Sequence, residues 1–85
     1  MKKKSEEIKE KAKYLCELCW HEGRITTSSL ETHHIEKLTE RPDLAMEESN
    51  LICLCRHCHE RAEKGEVHKY LLKEIALNRE NPPGI

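Results

Sequence analysis

Four of the five cysteines lie in two closely spaced pairs that can bind one metal ion. Cys16 and Cys19 form one C-x-x-C motif, and Cys55 and Cys58 form another. A two-residue spacer lets a tight turn aim both thiolates at one ion, and two such turns complete the tetrahedral shell that Zn²⁺ prefers. Because four thiolates leave no open position, the pattern predicts a structural zinc site that contributes folding free energy. The alternative, a pair of redox motifs or disulfides, suits an oxidising compartment better than a reducing one.

The other side chains near these motifs leave alternatives open. Cys53 is expected to be a small buried hydrophobic residue, although it could replace Cys55 as a ligand. His21 and His57 lie close to the two motifs in the sequence and are alternative ligands. His57 lies inside the second motif, where a Cys55 and Cys58 ligand pair would leave it pointing outward.

A second group of residues combines histidines with an asparagine. His33 and His34 are adjacent, and Asn50 and His59 follow. Neighbouring side chains on a strand point to opposite faces, so one histidine can bind a metal ion while the other accepts a proton. A strand lying across the helix that starts near His59 would bring His33 and His59 together. The alternative is that His59 only caps the second motif and that the histidine pair is an exposed polar pair.

Helices and two short strands are expected to position these groups. The first helix should begin at Ser5, its N-cap, and end near residues 14–16. Its apolar face is expected to contain Ile8, Ala12 and Leu15. Residues 24–27, which are rich in β-branched side chains, and residues 30–35 predict a β-hairpin.

The second half of the sequence predicts a loop followed by helices. Residues 36–49 are expected to form the loop, with one helical turn at Pro42 and Asp43, and an apolar run follows at residues 50–55. A helix should start at about His59, and Gly65 should interrupt it or separate it from the next. The apolar face of the final helix is expected to contain Val67, Tyr70, Leu71, Leu72, Ile75 and Ala76. Residues 80–85 should form a frayed tail.

The composition limits what these elements can build. The chain has 85 residues, of which 36% are hydrophobic. We expect one α+β domain, residues 1–85, held together by metal because so short a chain has a small core. The net charge of -1 gives no general support for nucleic-acid binding, so basic side chains would have to cluster locally. Neither a signal-peptide apolar run nor a membrane-spanning stretch is present, and we expect a cytoplasmic protein with no membrane partner.

The order of these residues resembles the motif of the HNH nuclease family. Residues 30–35 end in two histidines and an apolar residue, and residues 49–59 contain Asn-Leu, an apolar stretch and C-x-x-C-H. His34, Asn50 and His59 match the three letters of the family name.

The resemblance covers about residues 14–65 and includes the first cysteine pair, which lies where many members carry two zinc ligands. Two departures are visible. His33 stands where many members have Asp, and residues 40–43 read Glu-Arg-Pro-Asp where many members have Gly-Gly. Members of the family also use His at the first of these positions, so only the second departure bears on the loop that would face the substrate.

The resemblance implies a zinc-stapled ββα-metal core, or His-Me finger, with flanking N- and C-terminal helices. It implies a DNA endonuclease that hydrolyses phosphodiester bonds with one catalytic Mg²⁺ or Mn²⁺ ion, and imidazole ligands favour Mn²⁺. The implied catalytic residues are His34, Asn50 and His59. His34 would be the general base, since the ordinary pKa of an imidazole, ~6.5, is near neutral pH. His33 and His59 would bind the ion, and Asn50 would ligate it or hold the loop that orients the base.

DNA contacts are expected from basic side chains around this site. The candidates are Arg24, Lys37, Arg41, Arg56, Arg61 and Lys64, with Lys2, Lys3 and Lys4 as a flexible arm. Because no recognition helix is evident, sequence selectivity would be low or would come from a partner protein or a homodimer. The alternative function is a non-catalytic zinc-binding module that binds DNA or protein. A redox or metal-sensing protein would use the thiols but none of the histidines.

Overall fold

A computed structural model of the chain describes residues 4–37, 39–44 and 47–79. In chain order, the elements are helix α1 (Lys4–Lys11), helix α2 (Glu17–His21), strand β1 (Leu30–His34), two 3₁₀ turns (Pro42–Leu44 and Glu48–Asn50), strand β2 (Leu51–Cys55), helix α3 (Arg56–Glu63) and helix α4 (Lys69–Leu77). The predicted α+β class is confirmed. None of the described helices has the length and apolar character needed to cross a membrane.

Two antiparallel strands form the sheet around which the helices pack. Strands β1 and β2 pair in a register that runs from Leu30 opposite Cys55 to His34 opposite Leu51. Every residue of β2 is buried, whereas β1 is only partly buried. Because β2 leads directly into α3, this pairing places β1 next to the start of that helix.

The hairpin predicted for residues 24–35 is wrong. Residues 24–27 form no strand and instead fold back on the first C-x-x-C motif. The Cys16 N–H donates to the Thr26 carbonyl at 2.9 Å, and the Arg24 N–H donates to the Cys19 carbonyl at 2.7 Å. These bonds tie the segment to the motif, so β1 pairs with the buried apolar run that follows the loop.

The sheet separates two groups of buried side chains, because side chains alternate between the two faces along each strand. On one face, Ile8 of α1 and Ala12, just after the helix, pack with Leu51 and Cys53, which confirms the predicted burial of Ile8, Ala12 and Cys53. Leu15, the third residue of the predicted apolar face, lies beyond the end of α1 and is only partly buried. On the other face, the larger core joins the four paired cysteines to apolar side chains of α2, β2 and α4. Its other members are Leu18, Ile35, Ile52, Leu54, Val67, Leu72 and Ala76.

The N-terminal helices differ from the sequence expectations. Helix α1 begins at Lys4, so Ser5 lies inside the helix instead of capping it, and the helix ends at Lys11. The first C-x-x-C motif forms a helix of its own, α2, which the sequence analysis did not anticipate. Cys16 caps α2 by accepting the Cys19 N–H on its sulfur at 3.4 Å.

The C-terminal helices also differ in detail. Helix α3 begins at Arg56 and not near His59, because the preceding residue already has the extended backbone of an N-cap. Gly65, with a φ of +79°, separates α3 from α4, as predicted. Tyr70 is 66% exposed, so its assignment to the apolar face of α4 is wrong. The predicted turn at Pro42 is present, and the predicted tail at residues 80–85 lies outside the described residues.

A buried ion pair attaches the end of α4 to the first motif and to β2. Arg79 donates to both carboxylate oxygens of Glu17, at 3.2 and 3.0 Å, and also to the Leu51 carbonyl. Glu17 accepts the Cys53 N–H at 3.0 Å as well. The two ionic side chains are only 6% and 8% exposed. Each charge therefore depends on the other for the interactions that water would otherwise provide.

We expect Arg79→Met to lower the free energy of unfolding by ~3 kcal/mol, because the Glu17 carboxylate would remain buried without its cation. Urea unfolding of the zinc-loaded protein measures this. Arg41→Met is the matched control, since the exposed Arg41–Asp43 pair should contribute less than about 1 kcal/mol. Equal losses for the two variants would contradict the prediction.

Candidate metal centres

The four paired cysteines meet where α2 and the start of α3 come together. Their sulfur atoms lie within 4.8 Å of one another, and Cys19 Sγ is 3.9 Å from Cys55 Sγ and 3.5 Å from Cys58 Sγ. Sulfur ligands at the ~2.3 Å distance of a tetrahedral zinc site stand about 3.8 Å apart. This spacing and the burial of all four side chains fit one zinc ion. Within the described residues, neither His21 nor His57 joins this cluster, and both side chains are exposed.

The thiols in and near this cluster differ in how readily they ionise. Burial alone would raise the pKa of the Cys19 thiol, but hydrogen bonds, led by that of Thr26, lower it to about 7. Burial raises the pKa of Cys16 to about 11 and that of Cys53 to about 12. The thiolate is the form that binds metal, so zinc binding must release protons from this cluster. Cys53, which lies outside the cluster, is kept as an inert thiol.

A second cluster forms where β1 meets α3. The rings of His33 and His59 lie edge to face, with their centres 4.9 Å apart. Glu63 Oε1 lies 3.6 Å from His33 Nδ1 and 3.3 Å from His59 Nε2. Ligands of a divalent ion at ~2.1 Å in an octahedral shell stand about 3 Å apart. The two imidazoles and the carboxylate therefore need only small shifts to hold one such ion.

The sequence analysis did not include Glu63 among the candidate ligands. Glu63 follows His59 by four residues, so both side chains project from one face of α3. That spacing is visible in the sequence, but a lone glutamate on an exposed helix usually has no ligand. Only the position of β1, which brings His33 close to His59 and Glu63, shows that this spacing can contribute to a metal site.

A second carboxylate fixes the ring of His59. Glu31 lies two residues before His33 on β1, and its Oε1 is 2.7 Å from His59 Nδ1. This hydrogen bond lowers the pKa of Glu31. With Nδ1 engaged by a carboxylate, the other ring nitrogen, Nε2, is the one directed toward Glu63 and available to a metal ion.

His33 is held in the form that binds metal. Its side chain is only 11% exposed. Burial lowers the pKa of His33, and the nearby His59 ring lowers it further. A ligating imidazole must be neutral, so this environment favours metal binding at neutral pH.

His34 lies at the end of β1, and Asn50 holds the chain that follows it. Because side chains alternate along a strand, His34 is directed to the opposite face of the sheet from His33. The buried Asn50 side chain accepts the Glu36 N–H at 2.7 Å and donates to the Glu36 carbonyl at 3.2 Å. Its backbone carbonyl accepts the Ile35 N–H at 2.8 Å. Both ends of the amide are thus engaged in fixing the loop, which is one of the two roles expected for Asn50.

The predicted DNA-contacting side chains lie in different surroundings. Four of them are in ion pairs within the chain, namely Arg24 and Arg61 with Glu22, Arg41 with Asp43, and Arg56 with Glu60. Lys37 and Lys64 are exposed. The predicted lysine arm falls outside the described residues at Lys2 and Lys3, and the side chain of Lys4 is also undescribed.

A family model described as HNH endonuclease matches residues 16–65. This range is more than half of the chain, and it contains all four paired cysteines together with His33, His59 and Glu63. No curated protein and no solved structure gives a significant match to the chain.

Proposed function

Since the chain belongs to the HNH endonuclease family, we propose that it is a metal-dependent endonuclease that hydrolyses phosphodiester bonds in DNA. The observation that carries the proposal is the convergence of His33, His59 and Glu63 where β1 meets α3. His34, the next residue after His33 and the last of β1, has a side chain able to accept a proton. The four-cysteine zinc site anchors the helix that supplies two of the three ligands.

The catalytic ion would be held by His33, His59 and Glu63, and its identity follows from these donors. When bound, a divalent ion neutralises a phosphate oxygen and stabilises the leaving oxygen. Mg²⁺ prefers oxygen ligands, whereas imidazole suits first-row transition metals. Two nitrogen donors and one carboxylate therefore favour Mn²⁺ over Mg²⁺ as the single catalytic ion.

The remaining residues prepare the site for attack by water. His34 acts as the general base and takes the proton from the attacking water. Asn50 holds the loop after His34 through the Glu36 backbone and so fixes the position of the base. Glu31 orients the ring of His59 through their hydrogen bond.

The substrate class and partners follow from the same family membership. Exposed Lys37 and Lys64 are the strongest candidates for phosphate contacts, because the four arginines already have acidic neighbours in the chain. A net charge of -1 gives only weak general attraction to DNA. Selectivity would then come from a partner protein or from a second copy of the chain in a homodimer.

Nicking of supercoiled plasmid DNA tests the proposed function. We expect the zinc-loaded protein to relax the plasmid in added Mn²⁺, and we expect Glu63→Gln to need at least about 10-fold more Mn²⁺ because one charged ligand is lost. Glu60→Gln is the matched control, since Glu60 lies on the same helix and pairs only with Arg56 in the contacts described.

Two results would contradict the proposal. If the folded, zinc-loaded protein never nicks DNA in Mn²⁺ or Mg²⁺, the non-catalytic zinc module becomes the better explanation. If Glu63→Gln and Glu60→Gln show the same dependence on Mn²⁺, Glu63 is not a ligand and the ion is held elsewhere.

A further inference from the structure

Two arginines that the sequence analysis assigned to DNA share one carboxylate next to the first C-x-x-C motif. Glu22, directly after α2, accepts hydrogen bonds from Arg24 and from Arg61 of α3. The Arg61 distances are 3.3 Å from Nη1 and 3.4 Å from Nη2, one to each carboxylate oxygen. A single carboxylate thus contacts two guanidinium groups, one from the segment after α2 and one from α3.

One of these guanidinium groups also lies next to a metal-binding thiol. Arg24 Nη2 lies 3.9 Å from Cys19 Sγ. Arg61 joins this arrangement through the Glu22 carboxylate, to which it donates two hydrogen bonds. Because Arg61 lies on α3, the helix that contains Cys58, Glu22 links an arginine that follows the first C-x-x-C motif to one that follows the second.

The charge of a four-cysteine zinc site explains why such an arrangement is useful. Four thiolates around one Zn²⁺ ion leave a net charge of about -2, and these sulfur atoms are buried. The two guanidinium groups and the Glu22 carboxylate together carry a net charge of about +1, which offsets part of that charge, and an N–H donor directed at sulfur stabilises the thiolate form. We propose that Arg24 and Arg61, bridged by Glu22, form an outer shell that retains the zinc ion and are not contacts for DNA phosphates.

A purely structural role for this ion pair makes a different prediction. The side chains of Arg61 and Glu22 are 27% and 30% exposed, and partly exposed pairs of this kind contribute little to stability. Removing Arg61 should therefore shift the urea midpoint of the zinc-loaded protein only slightly. The effect on zinc binding should be much larger, because loss of a group that supports metal ligands lowers metal affinity by about 10- to 100-fold.

Competition between the full-length protein and a chromogenic zinc chelator tests the proposal. We expect Arg61→Gln to weaken zinc binding by roughly 10-fold, and Arg24→Gln/Arg61→Gln together to weaken it further. Arg56→Gln is the matched control, because Arg56 lies on the same helix and pairs with Glu60. Arg61→Lys, which keeps the charge but not the planar fork, should fall between the wild type and Arg61→Gln.

Unchanged zinc affinity in Arg61→Gln would overturn the proposal. So would a loss of about one unit in the salt dependence of DNA binding at unchanged zinc affinity, since that result would assign Arg61 to a phosphate. If Arg61→Gln does not fold, Arg61→Lys carries the test, and its zinc affinity must fall. These zinc measurements involve no cleavage, so they can succeed even if the proposed nuclease function fails.

Discussion

Replacing His34 with alanine should lower DNA cleavage by about 10²- to 10⁴-fold, which is the usual contribution of a general base. The fold should remain intact, because His34 is the last residue of β1 and is only partly buried. Both metal sites should also remain, since His34 belongs to neither described ligand cluster. The loss should therefore lie in the rate of the chemical step and not in metal binding.

The dependence on Mn²⁺ separates this loss from the loss of a ligand. For His33→Ala, we expect cleavage to recover in part when more Mn²⁺ is added, because a weakened site can still be filled. For His34→Ala, saturating Mn²⁺ should give no recovery, whereas added imidazole should restore part of the rate by supplying the missing base. Plasmid nicking at equal zinc content measures all three proteins. Cleavage by His34→Ala at the wild-type rate would remove His34 from the mechanism.

The parts of the site that depend on local spacing could be predicted from the sequence. Two residues between cysteines favour a tight turn that is set by local geometry alone. The four cysteines of the cluster could therefore be identified from the sequence. Side chains of adjacent residues on a strand point to opposite faces. The different roles predicted for His33 and His34 rest on the same kind of local geometry. In each case the geometry is set within a few residues.

The parts that depend on distant pairing could not be predicted. β1 could have paired with residues 24–27 by proximity in the chain, and only the hydrogen bonds of Thr26 and Arg24 to the first motif exclude this. Glu31 and Glu63 gained their roles from the same pairing, because Glu31 contacts His59, and Glu63 contacts His33, only once β1 meets α3. A sequence pattern contains no information on which of two strands will be the partner.

The arginines illustrate a further limit, since a guanidinium group binds a phosphate, a carboxylate or a thiolate with similar geometry. Arg24 lies beside a thiol, Arg61 lies beside Glu22, Arg41 lies beside Asp43, and Arg56 lies beside Glu60. Nothing in the sequence distinguishes these surroundings. Tyr70 was misassigned for a related reason: its spacing suits the apolar face of α4, but its ring stacks on His68 at the surface.

Replacing Cys58 with alanine should prevent the chain from folding stably and abolish stoichiometric zinc binding. Structural zinc contributes on the order of 10 kcal/mol to small domains, which matches or exceeds the whole stability of a typical domain. Cys58 is fully buried among the other ligands, so three thiolates would remain without a fourth partner. The loss should appear in circular dichroism as reduced helix content, and in metal analysis as less than one zinc per chain.

Cys53→Ala is the matched control, because Cys53 is equally buried but lies outside the ligand cluster. This variant should bind one zinc ion and lose only about 1 kcal/mol of stability, from the small cavity that it creates beside Ile8 and Leu51. If Cys53→Ala lost zinc while Cys58→Ala kept it, the assigned set of zinc ligands would be wrong. Zinc binding by Cys58 would then not explain how α3, the helix that contains His59 and Glu63, is held in place. If both variants kept the fold without zinc, the apolar clusters alone would be sufficient, and zinc would not be structural.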